Sequence, residues 1–213
     1  MKTDDLIDCL VAEVPAMRRG WIEAWLMVAL AASGIAALAG LTVTLGFRPD
    51  LIQALGGPTF WLKAAYTVAV ALGGFWLLSR AGRPGQGVVA PLILLGLTLL
   101  VAILAGGMQW MQAAPDTRAD TLMGSSATVC PTNIAGLALL AAPLVLLAAR
   151  RFAPTRPGLA GVAAGLLIGG VAATVYGLHC PERTATFVAV WYSLGMVIPA
   201  LIGGLIGRLI WRW

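Results

Sequence analysis

The chain has 213 residues, 60% of them hydrophobic and only 11% charged, with a net charge of +5 and a mean hydropathy of +0.90. One small core cannot hide that much apolar surface, so a soluble domain is excluded and a polytopic membrane protein is expected. Backbone polar groups in lipid must pair within their own segment, and the apolar stretches lack the alternation of a barrel; the expected fold is therefore all-α, a six-helix transmembrane bundle.

Residues 1–20 read as a cytoplasmic tail with a short amphipathic helix. Thr3 can cap it, Asp4 and Asp5 suit the positive end of its dipole, and Pro15 ends it. Leu6, Ile7, Leu10, Val11 and Val14 then share one apolar stripe. So short a helix is marginal alone and needs a surface to cover that stripe. The bilayer is one such surface. Asp4, Asp8 and Glu13 suit a basic protein groove instead, because interfacial helices favour Lys and Arg. Cys9 reads as a separate, reduced residue. The opening MKTDDLIDC carries acids where a signal peptide has a basic region, so the first span is expected to be an uncleaved anchor.

Six stretches are long enough to cross a bilayer at about 20 residues each: Trp21 to Gly46, Thr59 to Leu78, Val88 to Trp110, Cys130 to Ala149, Gly158 to Leu178 and Ala185 to Gly207. Residues 21–213 thus form the transmembrane domain. Glu23 and Lys63 lie near helix ends and are expected to snorkel to the interface. No span carries an ionisable residue near its midpoint, which weighs against an ion-coupled transporter. Pro91, Pro143 and Pro199 fall inside spans and are candidate kinks. In the fifth span Gly161, Gly165, Gly169, Ala173 and Gly177 recur every four residues, a face that admits a close partner helix, and Gly203 and Gly207 repeat the spacing in the sixth. Bundle packing is the favoured use; a homo-oligomer is the alternative.

Lys2, Arg18, Arg19, Arg80, Arg83, Arg150, Arg151, Arg156, Arg208 and Arg212 fall on one side of these spans, and Arg48, Lys63, Arg118 and Arg183 on the other. The positive-inside rule then places both termini in the cytoplasm. The positive net charge reflects this topology and implies no direct nucleic-acid partner.

Cys130 and Cys180 are each followed by proline. Twenty residues separate Cys130 from Arg150 and 22 separate Gly158 from Cys180. At about 1.5 Å per residue, the two arms rise about 30 and 33 Å. The short turn between them predicts neighbouring antiparallel helices with both sulfurs at one outer mouth, facing the periplasm in a bacterial inner-membrane protein. Three readings compete. A static disulfide would constrain the unfolded chain by about 4 kcal/mol. A metal or electrophile site would use Cys130 and Cys180 as soft thiolates, with His179 and Glu182 as further ligands. A thiol oxidoreductase is the poorest fit, because CxxC is absent.

The opening MKTDDLIDxL, the loop RRFAPTRPGLAG and above all LHCPERTATFVAVWYSLG entering the sixth span resemble the NrsF family, membrane-bound negative regulators of a bacterial extracytoplasmic-function sigma factor. The resemblance covers essentially the whole chain. It implies a six-span anti-sigma factor that holds its sigma factor inactive at the inner membrane and releases it under heavy-metal stress, with Cys130 and Cys180 needed for the response. No cofactor is implied, and the metal ion is a transient signal. Combined with the residue pattern, it suggests that metal or oxidant at the cysteines shifts the ends of spans four and five. A sigma-binding surface of Leu6, Leu10 and Val14, with Arg150, Arg151 and Arg156, would then be disturbed on the other side. A small-solute transporter and a membrane thiol–disulfide oxidoreductase are the alternatives. With no nucleophile beside a base, no phosphate-binding loop and no acid pair, the chain reads as a regulator and not an enzyme.

Overall fold

A computed structural model describes residues 21–83, 85–150, 152 and 154–211. The expected tail helix with Leu6, Ile7, Leu10, Val11 and Val14 lies outside the described residues, as do Cys9 and Arg151. Among the described residues the chain is helical and has no strand. In chain order the helices are α1 (Trp21–Thr44), α2 (Leu51–Leu55), α3 (Pro58–Ala81), α4 (Val89–Gln112), α5 (Arg118–Met123), α6 (Cys130–Ala149), α7 (Pro157–Tyr176) and α8 (Ala185–Ile210). Six of these, α1, α3, α4, α6, α7 and α8, are long and apolar enough to cross a membrane.

Local chemistry explains where they begin. Pro58, Pro131 and Pro157 stand in the first turns of α3, α6 and α7, where a missing N–H leaves no helical bond unmade. Thr184 caps α8 by accepting a hydrogen bond from the Phe187 N–H at 3.3 Å. Pro91 lies in the first turn of α4, so of the three candidate kinks only Pro143 and Pro199 are interior to their helices. Val188–Tyr192 forms a π turn within α8, a feature without a sequence signature that often marks functional positions.

The centre of the bundle is α7, which touches α1, α3, α6 and α8. Its small residues make this possible in two directions. Toward α8, a methyl group on Gly161 would strike the Gly203 carbonyl, and one on Gly165 would strike the Pro199 carbonyl. At Gly169 it would lie 2.9 Å from the Pro199 ring. Toward α3, a methyl on Gly170 would lie 2.7 Å from the Ala71 nitrogen. The stripe is therefore covered within one chain. Gly177 does not belong to it: it caps the end of α7, where a methyl group would face Thr174 O at 3.1 Å and Lys63 Cε at 3.8 Å.

The three loops joining α1 to α3, α4 to α6 and α7 to α8 lie together at one end of the bundle, and two of them carry the short helices α2 and α5. At the opposite end Arg83 pairs with Glu23, Arg80 stacks on Trp76 with 5.5 Å between guanidinium and ring centre, and Arg150 and Arg156 are exposed. Lys63 does not snorkel. It is 5% exposed and turned into the bundle, because acceptors described below draw its ammonium inward.

Candidate functional site

Cys130 opens α6, and Cys180 follows α7 after a turn closed by hydrogen bonds from the His179 and Cys180 N–H groups to Tyr176 O, both 3.0 Å. The structure brings the two together: both are fully buried, no disulfide joins them, and the two thiols interact directly. Neighbouring helices whose ends reach one level make this contact.

Two cations from other elements fix the Cys180 turn. Arg48 donates through Nη1 to Cys180 O at 3.1 Å, and Lys63 donates through Nζ to the same oxygen at 3.1 Å and to Glu182 O at 3.2 Å. Arg48 is clamped by Asp50 through two bonds of 2.7 Å, and Asp50 also accepts from Arg183 at 2.9 Å. The hydrogen bond from Arg48, then its charge, holds the Asp50 carboxyl well below the usual carboxylate range, and Arg183 adds to the effect. The same bond raises Arg48.

Lys63 takes part in none of the ion pairs found among the described residues. Its ammonium stands 5.3 Å from the centre of the Tyr192 ring, and its charge acts on the Cys180 sulfur. A buried cation is tolerated only where an anion or strong dipoles compensate it; here two carbonyls and the Cys180 sulfur do so. The Cys180 thiol is accordingly pulled below its ordinary pKa, first by its interaction with the Cys130 thiol and then by the Lys63 charge, while burial opposes both. Cys180 is thus the more acidic thiol of the pair. Tyr192, on the π turn, is fully buried beside them. Its hydroxyl has no oxygen or nitrogen partner among the described residues and interacts with the Cys180 sulfur. A thiolate is the form of cysteine that attacks electrophiles and binds metal.

His179 and Glu182 have other attachments. His179 Nδ1 lies 2.9 Å from Gly46 O, and its ring tilts against Tyr176 at 5.7 Å between centres. The Glu182 carboxylate accepts from Ser125 N, Ser125 Oγ and Ser126 Oγ at 2.7, 2.8 and 3.2 Å. Among the described residues no group of three His, Cys, Asp or Glu side chains is arranged to hold a metal ion. The donor set is two thiols, which fits a soft ion of low coordination number and does not fit a four-ligand structural zinc site. A cavity of about 460 Å³ between α3, α4 and α8 borders Lys63 and Glu182, is lined mainly by apolar side chains such as Leu62, Leu97 and Val101, and includes neither cysteine.

Arg48, Lys63, Ser126 and Tyr192 complete the surroundings of the thiols and were not expected from sequence. Lys63 had a usable signal, a lone cation inside an apolar stretch. Tyr192 had none, because the π turn sets its direction.

Fold and site together define a helical membrane protein with a buried thiol pair held at the adjoining ends of two of its spans. The chain belongs to the NrsF family, described as negative regulator of sigma F, which it matches over residues 10–213. It is 44% identical over 218 residues to the anti-sigma-F factor NrsF of Caulobacter vibrioides and 38% identical over 213 residues to the probable anti-sigma-F factor NrsF of Azospira oryzae, with 100% of each chain covered in both cases. No solved structure matches it.

Proposed function

We propose that this chain is an anti-sigma factor of the bacterial inner membrane that sequesters an extracytoplasmic-function sigma factor and releases it when the Cys130–Cys180 pair meets a thiophilic metal ion or an oxidant. Family membership and the two full-length relatives support the anti-sigma activity. The observation that carries the sensing step is the meeting of two buried cysteines, Cys180 the more acidic, at adjoining ends of α6 and α7, with Arg150 and Arg156 exposed at the other ends of the same helices.

In this reading a soft ion joins the sulfurs and displaces the protons they carry, or a two-electron oxidant takes two electrons from the pair and closes it to a disulfide with loss of the same protons. Either event replaces the contact between the two thiols with a shorter or longer linkage and shifts α6 against α7. At the opposite end, the sigma factor docks on Leu6, Leu10 and Val14 of the tail together with Arg150, Arg151 and Arg156. Moving such an equilibrium from mostly bound to mostly released takes about 5.5 kcal/mol of differential binding. Thiolate coordination, worth about 10–16 kcal/mol in structural zinc peptides, is of sufficient size. The Cys130→Ser, Cys180→Ser double variant is expected to keep the sigma factor at the membrane under cadmium exposure that releases it from wild type. Release from the variant would remove the pair from the mechanism.

A further inference from the structure

Both thiols are 0% exposed, so a reagent reaches them only when something moves. The segment between α4 and α6 lies against this site, with Ser126 Oγ beside Cys180 Sγ. Its helix α5 has no buried side chain, and Met123 and Val129 stand 43% and 48% exposed. Within the segment only Ala127 is buried, so apolar burial does little to hold residues 118–126, and segments held that way open at low free-energy cost.

Side chains from the loop after Cys180 and from α8 hold it instead. Thr184 Oγ1 donates to Thr121 O at 2.9 Å, and Trp191 Nε1 donates to Leu122 O at 2.8 Å. The Glu182 carboxylate accepts the three bonds from Ser125 and Ser126 already described. Gly124 adopts φ +50° directly over that carboxylate, where any side chain would collide with it. This glycine allows the chain to fold down onto Glu182. The fold places Ser126 Oγ 4.0 Å from Cys180 Sγ, so the residues that Glu182 grips are those that close over the sulfur.

We infer that residues 118–126 form a lid over the thiol pair and that Glu182 is its latch, setting how quickly a soft ion or thiol reagent reaches Cys130 and Cys180. The purpose of the lid rests on the sensing role proposed above; the gating itself does not. Glu182 is then a positioning residue for access, and not a ligand.

The test is the rate at which a maleimide labels Cys130 and Cys180 in the full-length, membrane-extracted protein, in a Cys9→Ser background, read peptide by peptide by mass spectrometry. Glu182→Ala removes three bonds to a charged acceptor and is expected to raise both rates about tenfold or more. Ser125→Ala with Ser126→Ala leaves the carboxylate and one backbone bond, and is expected to give a smaller increase in the same direction. Hydrogen exchange at the Ser125 amide should accelerate in Glu182→Ala while α7 stays protected. Unchanged labelling in either variant with α7 still protected would overturn the latch. So would a loss of cadmium affinity in Glu182→Ala with no change in maleimide rate, the behaviour of a ligand. Faster labelling with the sigma factor still bound to the labelled protein would keep the latch and refute the sensing role.

Discussion

The contact of α7 with α8 allows a quantitative prediction from a single added methyl group. At Gly161 that carbon would overlap the Gly203 carbonyl, and at Gly203 it would overlap the Gly161 carbonyl. Both obstacles are backbone, so no rotamer change relieves them and the helices must separate. Overpacking of this kind costs about 1–3 kcal/mol, against which the better helix propensity of alanine returns up to about 1 kcal/mol. Gly161→Ala should therefore end about 1–3 kcal/mol less stable than a helical Gly→Ala change made where there is room, and at about 2–4 °C per kcal/mol for a chain of this size its midpoint should lie roughly 2–12 °C lower than that of such a change. Gly96 and Gly107 provide the control, because nothing lies within 4 Å of a carbon added at either. Gly96→Ala should be neutral or slightly stabilising. Thermal unfolding in mild detergent, followed by circular dichroism and monodispersity, measures both. A Gly161→Ala midpoint equal to that of Gly96→Ala would refute the close contact of α7 and α8.

Other predictions concern the site. Lys63→Met removes a cation whose charge favours the Cys180 thiolate, so the pH at which Cys180 alkylation reaches half its maximal rate should rise relative to wild type; an unchanged or lower midpoint would show that Lys63 does not favour the thiolate. Asp50 has a depressed folded-state pKa, so its contribution is present above the unfolded value of about 3.9 and is lost as pH falls below it. Asp50→Asn should accordingly loosen the Arg48 clamp at neutral pH and remove that acid dependence, visible as faster hydrogen exchange at the Arg48 amide, which donates to Leu178 O at 3.2 Å. Equal exchange in variant and wild type at pH 7 would contradict the clamp.

The spans were legible because transmembrane length and hydropathy are properties of local composition. The junction of Cys130 and Cys180 was legible too, since two arms of similar length joined by a short turn must end together. The small residues of α7 announced a close partner, but not that one face meets α8 while Gly170 meets Ala71 of α3, because periodicity carries no information on which neighbour fills a groove. Lys63 was misread as snorkelling: its inward turn depends on the carbonyls of Cys180 and Glu182, over 100 residues away in the chain. The roles of Glu182, as of Tyr192, likewise depend on long-range placement. As a sequence neighbour of Cys180, Glu182 resembles a ligand; in the fold its carboxylate serves Ser125 and Ser126 instead.

The most direct test of the central claim is co-purification of sigma factors with the tagged full-length protein extracted from membranes, with and without cadmium. The account predicts that one sigma factor is captured at rest by both wild type and the Cys130→Ser, Cys180→Ser variant, and that cadmium releases it from wild type alone. Absence of any sigma factor at rest would contradict the anti-sigma assignment for this chain.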